Sequence, residues 1–343
     1  MGGGVIVFYS SGLLSWKRAG ETMLLRPLGR TGVRVSEIGF GAWGIGGSWW
    51  GGTDDAEALK ALVRAQELGV NFFDTAYVYG DGHSERQIAR AFAETGRRGF
   101  VASKVPPRNR QWPARPAPIS QIYPADWIVA CTERSLKNLN TDCLDLQQLH
   151  VWHDDWAKVP EWKEAVHQLK AAGKIRFFGL SINDYEPENC LKAIRTGLVD
   201  TIQVIYNLFE QAPSDQLFPA CMADRVGVIV RVPFDEGSLT GALRPDTVFQ
   251  KDDFRADYFR GDRLREVCER VKAFDFLIRD EITTPAQAAL KFCLSHPAVS
   301  TVIPGMRTVR HVEANARVSD GRLLALEELA KLKPLAWRRN FYD

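Results

Sequence analysis

Four residue types able to hold or move a proton recur at the ends of apolar runs in this sequence. Asp74 follows Asn71-Phe-Phe, Lys104 follows Phe100-Val-Ala-Ser, and His150 follows Leu144-Asp-Leu-Gln-Gln-Leu. Tyr79 comes shortly after Asp74, in Tyr77-Val-Tyr79-Gly-Asp-Gly. A carboxylate, a phenol, an ammonium and an imidazole gathered in one place are a set for acid–base work. Ser181 closes the run Phe177-Phe-Gly-Leu, Gln203 sits within a later run and Arg231 ends another. Taken singly, each has an ordinary structural explanation. A polar residue closing a strand often bonds only the next loop, an Asp caps the following helix, and a His sits satisfied in a core. The joint occurrence of Asp, Tyr, Lys and His on neighbouring strands is what points to a site.

Such residues need elements to bring them together. From about residue 33, short apolar runs alternate with amphipathic stretches. The runs at 33–40, 70–73, 100–103, 144–149, 175–180, 201–205, 226–230 and 299–303 read as eight strands. The stretch 56–68 carries Leu59, Leu62, Val63 and Ala65 on one side of a helix, and Gly96, Gly173 and Gly197 stop later helices. Strands alternating with helices imply a parallel sheet with helical crossovers. Eight units without a linker predict an α/β fold, a single (β/α)8 TIM barrel spanning residues 23–343. Its strand ends converge on one face, where active sites of such barrels are built. The segment 24–35, with Gly29 and Gly32 at a turn, is expected to form an N-terminal hairpin closing the barrel bottom. The long segments 104–125 and 232–260 read as functional loops.

Composition narrows the classes. Of 343 residues, 45% are hydrophobic and 25% charged, which suits a globular protein rather than a disordered chain. Lys and Arg number 44 against 42 Asp and Glu, so no basic excess attracts nucleic acid. Six scattered cysteines form no zinc spacing and read as reduced thiols, giving an expected cytoplasmic location. No metal is expected: a barrel hydrolase would want compact His pairs, and the six histidines are scattered. No apolar run approaches the ~20 residues of a membrane helix, so no membrane partner is expected. Residues 1–15 are small and apolar ahead of Lys17 and Arg18, the reverse of a secretory signal. Residues 1–22 are therefore read as a flexible extension outside the functional domain.

Gly39-Phe-Gly41-Ala-Trp-Gly44 matches G-x-G-x-x-G after a strand. The dinucleotide fingerprint needs a helix opening on the third glycine, but Gly46, Gly47, Trp49, Trp50, Gly51 and Gly52 intervene. A glycine- and tryptophan-rich loop over a pocket accounts for the segment better.

With these residues assembled, a family resemblance emerges. The stretch Phe73-Asp-Thr-Ala-Tyr-Val-Tyr-Gly-Asp-Gly-His-Ser-Glu85 resembles the signature of the aldo-keto reductases. So do Lys104, Leu149-His150, Gly173-Lys-Ile-Arg-Phe-Phe-Gly-Leu-Ser181, and Ile303-Pro-Gly305 with Asn315. The resemblance runs in order from about Leu24 to Asn315 and implies an (α/β)8 barrel that reduces carbonyls with NADPH and without a metal. It assigns Tyr79 as acid–base, Lys104 and Asp74 as its tuning pair, and His150 as the group positioning the carbonyl oxygen. Hydride arriving at a carbonyl carbon leaves negative charge on oxygen, which needs a donor. A phenol with a pKa near ~10 is a reluctant acid, and a neighbouring ammonium is expected to lower that value.

The resemblance also implies cofactor contacts. The loop holding Gly41, Ala42 and Trp43 lies at the pocket, and Ser181 with Gln203 would hold the nicotinamide carboxamide. The family usually has Asn directly after that Ser, whereas here Ile182 intervenes before Asn183. Arg231 stands where the family often stacks an aromatic ring on the nicotinamide, and a guanidinium can stack as well. Asp235-Glu-Gly-Ser-Leu-Thr-Gly241 matches the family's pyrophosphate loop, with Ser238 and Leu239 as contacts. Gly305 precedes Arg307, which is assigned to the adenosine 2′-phosphate, with His311 and Asn315 near the adenine. That arrangement favours NADPH/NADP, with NAD as the alternative. Trp43, Trp49, Trp50 and Trp152 are expected to flank a pocket for a small-molecule carbonyl or sugar substrate. A competing reading keeps the same barrel as an NADPH-binding redox sensor with little turnover.

Overall fold

The computed structural model describes residues 23–47 and 49–342. The expected extension at 1–22 lies outside the described residues. Two short strands, β1 (Leu25–Pro27) and β2 (Arg34–Ser36), pair antiparallel as a hairpin. Eight parallel strands follow: β3 (Phe40–Gly41), β4 (Phe72–Asp74), β5 (Phe100–Val105), β6 (Leu144–Leu149), β7 (Ile175–Ser181), β8 (Thr201–Ile205), β9 (Gly227–Arg231) and β10 (Val299–Val302). Each pairs with its sequence neighbour. The two edges meet through the parallel bridges Ile38 to Val302 and Gly41 to Gly305, which closes the barrel. The run at 33–40, expected as one strand, is divided: Arg34–Ser36 belongs to the hairpin and only Phe40–Gly41 to the barrel. A short apolar run does not show which edge its backbone will meet.

β5 and β6 are buried at every position, because one face meets the barrel interior and the other the surrounding helices. Helices alternate with the strands. In helix Asp55–Glu67, Asp54 caps the N-terminus by accepting from the amides of Ala56 and Glu57. Thr284 and Gln287 cap helix Pro285–Leu294 reciprocally.

Inside the barrel, Leu28, Val35, Phe72, Phe100, Ala102, Leu146, Ile229 and Ile303 form a closed apolar cluster. Leu28 and Val35 come from the hairpin, which therefore plugs the end where the strands begin. The Arg30 guanidinium secures the plug by donating to the carbonyls of Asp224, Gly197 and Val199. Gly29 (φ +54°) is required at the turn, because a Cβ there would come within 2.3 Å of the Gly227 nitrogen. With the bottom plugged, polar side chains concentrate at the opposite end. No helix among the described residues is long and apolar enough to cross a membrane.

Candidate active site

Asp74 ends β4 and Lys104 lies near the end of β5, both buried. The Lys104 ammonium donates to Asp74 Oδ1 at 2.6 Å, to the Thr75 carbonyl at 2.8 Å and to the Tyr79 phenol at 3.5 Å. All three of its protons are thereby directed. The imidazole of His150, just past β6, stands edge-on to the Tyr79 ring with centroids 5.9 Å apart. The structure thus brings together the four residues expected to act together.

Local sequence explains how Tyr79 reaches this place. Gly46 lies so close that a Cβ would sit 2.7 Å from Tyr79 Cβ. Gly80 (φ +65°) passes the Gly46 carbonyl at a distance that excludes any side chain. In the 43–52 loop Gly46 serves close packing on Tyr79, while Gly44 lies against the Arg307 side chain and Gly51 against Gln250.

The electrostatics differ from the expected tuning. Burial raises the Tyr79 pKa strongly, and the Asp74 carboxylate adds to the rise, while Arg231 opposes it. The expected lowering by Lys104 does not prevail, since burial dominates and the Asp74 carboxylate acts in the same direction. Burial also pulls the Lys104 pKa down, with Asp74 opposing. His150 is held well below the ordinary imidazole value by burial, Lys104 and Arg231. Tyr79 therefore rests as a phenol and His150 as a neutral ring. His150 Nδ1 is buried without a hydrogen-bond partner. An orphaned buried N–H is costly, which favours the proton on Nε2.

Ser181, at the end of β7, donates to Gln203 Oε1 at 3.3 Å, and Gln203 Nε2 donates to Asp74 Oδ2 at 2.6 Å. Gln203 on β8 therefore belongs to the network around Asp74. Arg231, at the end of β9, donates to Asp184 at 2.6 Å and to the Ile182 carbonyl at 3.0 Å, and its Nε is buried without a partner. The backbone amide of Gly41 bonds Pro304 across the barrel seam, and that of Ala42 bonds Asp74 on the neighbouring strand β4. The Ser238 hydroxyl donates to Asp235, and the Leu239 amide to the Phe234 carbonyl. These expected donors are engaged within their own loop.

Beyond β10, Thr308 caps helix Val309–Ala316, and a Cβ built on Gly305 would meet nothing within 4 Å. Open space thus adjoins the backbone ahead of a helix N-terminus, a setting that suits phosphate. Arg307 donates to the carbonyls of Trp50 and Gly52 at 3.2 and 2.5 Å. His311 and Asn315 follow on the same helix, with Asn315 buried.

Trp43 stacks on Tyr79 with centroids 6.2 Å apart and meets Trp50 and Phe254 at 5.2 and 5.0 Å. Arg255 lies over the Trp50 ring. Trp49, on the same loop, is exposed. Trp152 corrects the expectation of a pocket wall: it is fully buried and packs edge-on against Trp156 and Trp162. Past His150 the chain turns into the layer between barrel and helices, so nearness in sequence does not carry Trp152 to the site.

Sequence did not single out Gln148, Arg339 or Tyr342, and it left the role of Asn183 open. Gln148, the register partner of Lys104, is buried with neither amide atom bonded. Its place in the alternation of β6 was a readable signal. Asn183, displaced by Ile182 from the family's position, bonds both backbone groups of Ala114. Tyr342 and Arg339 near the C-terminus bond Glu236 and Asp235, which no local pattern announces.

Comparisons with known proteins bear on the family and the fold. A family model described as "Aldo/keto reductase family" matches residues 37–336. Aldo-keto reductase YhdN of Bacillus subtilis is 31% identical over 296 residues, covering 84% of this chain and 86% of that protein. Aldo-keto reductase yakc [NADP(+)] of Schizosaccharomyces pombe is 28% identical, covering 86% and 88%. Among solved structures, the glycerol dehydrogenase AKR11B4 from Gluconobacter oxydans superposes with a TM-score of 0.76 at 27% identity, covering 91% of this chain and 94% of its own. Barrel, strand-end residues and whole-chain likeness converge, and the chain belongs to the aldo/keto reductase family.

Proposed function

We propose that this chain is an NADP(H)-linked oxidoreductase that transfers hydride between a nicotinamide and a small carbonyl compound or its alcohol. The observation that carries the reading is the Lys104 ammonium held between Asp74 and the Tyr79 phenol, with His150 against the same ring. When bound, a reduced nicotinamide supplies the hydride.

Tyr79 then acts as the acid. Burial keeps its proton in place until negative charge develops on the carbonyl oxygen. As that proton leaves, the Lys104 ammonium at 3.5 Å faces a growing phenolate and stabilises it more than it stabilised the phenol. His150, neutral and protonated on Nε2, donates to the carbonyl oxygen and orients it. Asp74 keeps Lys104 in place, and Gln203 keeps Asp74 in place. Ser181 and Gln203 are the side chains suited to the carboxamide of the nicotinamide. Arg307, His311 and Asn315, beside the open space at Gly305, are suited to the adenosine end.

The test is steady-state oxidation of NADPH and of NADH by the purified chain across a panel of aldehydes, ketones and aldoses. Turnover of carbonyls with preference for NADPH supports the reading. Tight nicotinamide binding with no turnover on any member would replace the enzyme with a binding sensor.

A further inference from the structure

The long loop after β5 is firmly held. Trp127 Nε1 donates to the Pro106 carbonyl at 2.8 Å, and Trp156 Nε1 to the Ala117 carbonyl at 2.7 Å. Between these ties, the buried Asn183 side chain accepts from the Ala114 amide at 3.0 Å and donates to the Ala114 carbonyl at 3.1 Å. Asn183 Nδ2 also donates to Glu186, which fixes its orientation.

Trp112 stands two residues before this clamp. Its ring lies edge-on to His150 with centroids 5.8 Å apart, yet it is 43% exposed. On the other side, Trp43 stacks on Tyr79. Trp43 is fixed by Trp50 and Phe254, whereas Trp112 presents open indole surface. An exposed indole against His150, which itself stands against Tyr79, is apolar area available for a substrate to cover. A flat apolar group gains most there, because ring pairs prefer offset or edge-to-face contact.

We propose that Trp112 is a specificity-determining residue that selects carbonyls bearing a flat apolar group beside the reacting carbon, and that Asn183 positions it. The inference rests on the reading that carbonyl chemistry occurs between Tyr79 and His150. It assigns Asn183 to the loop rather than to the cofactor.

The experiment compares 4-nitrobenzaldehyde with propanal in the full-length chain, using Trp112→Ala, Trp112→Phe, Asn183→Ala and the double variant Trp112→Ala with Asn183→Ala. The ratio of kcat/KM for the aromatic over the aliphatic aldehyde should fall about tenfold in Trp112→Ala, mostly through KM. Trp112→Phe should retain most of the ratio. Asn183→Ala should lower the ratio, and the double variant should fall no further than Trp112→Ala, because both act through one contact. An unchanged ratio in Trp112→Ala overturns the assignment. A loss in Asn183→Ala confined to kcat and equal for both aldehydes overturns the positioning role. Wild-type chain that reduces no carbonyl overturns the functional reading and this inference with it, an outcome distinct from an unchanged ratio with turnover intact.

Discussion

Gln203 Nε2 donates to Asp74 Oδ2 at 2.6 Å, although the two residues are 129 positions apart. One oxygen of Asp74 meets this amide and the other meets Lys104. The carboxylate is therefore bound on both sides by strands β8 and β5. A buried ion pair is costly unless its remaining lone pairs are satisfied, and Gln203 supplies that satisfaction. The same amide was expected to hold only the carboxamide of the nicotinamide. The proposed carboxamide contact and the alignment of the ion pair would thus fall on one side chain.

Removing one member of this pair should destabilise the fold. Lys104→Met leaves Asp74 buried without its cation, which costs about 3–5 kcal/mol. The double variant Asp74→Asn with Lys104→Met should recover most of that loss, since no charge remains to be compensated. Urea denaturation of the three proteins measures this, and a double variant no more stable than Lys104→Met would contradict the pairing.

Tyr79→Phe should lower kcat by at least ~10²-fold while nicotinamide affinity stays within about twofold. The phenyl ring keeps the stack on Trp43 and loses only the hydroxyl. Fluorescence titration and steady-state kinetics separate the two effects. Full turnover in the variant would remove Tyr79 from the acid's role.

Arg307→Ala should weaken NADPH about tenfold or more and NADH far less, if the guanidinium meets a 2′-phosphate. Arg307 also ties the carbonyls of Trp50 and Gly52, so a small common loss is expected. Titration with both dinucleotides gives the comparison, and equal weakening would reassign Arg307 to the loop alone.

Glu236 sets a pH-dependent tie to the C-terminal segment. Burial raises its pKa to about 7 against the Tyr342 hydrogen bond, with Asp235 and Asp184 adding to the rise and Arg231 opposing. The folded value lies above the ordinary 4.5, so the stabilisation is complete below that value and is lost as pH rises through about 7. Hydrogen exchange of residues 337–342, corrected for intrinsic rates, should accelerate from pH 5 to pH 8. Glu236→Gln should flatten that dependence. The same slope in both proteins would show that another group governs the segment.

Much of the architecture was legible in the chain. The apolar runs marked the barrel strands from β4 to β10, because strands buried on both faces are mostly apolar, while the run at 33–40 fell mainly on the hairpin. Strand-end polarity marked Asp74, Lys104 and His150, because a barrel opens to solvent only at its ends. The limits are equally specific. Trp152 was misplaced because direction past a strand end depends on where the chain turns. Asn183 was ambiguous because Ile182 separates it from Ser181, and only the packing shows that it bonds Ala114. The upward shift of Tyr79 could not be read from a neighbouring lysine, since it depends on how much water the surrounding loops exclude.

Residue types and their periodicity alone determined that this protein is a barrel of alternating strands and helices with a phenol, an ammonium, a carboxylate and an imidazole at one end. Those are local properties, set by which side chains can be buried in a strand. Tertiary structure decided the rest: Gln203 on Asp74, Arg307 on the Trp50 loop, Trp112 against His150, and Tyr79 as a protonated phenol. Register between distant strands and the exclusion of water from the closed site are properties of the whole packing, and no single segment contains them.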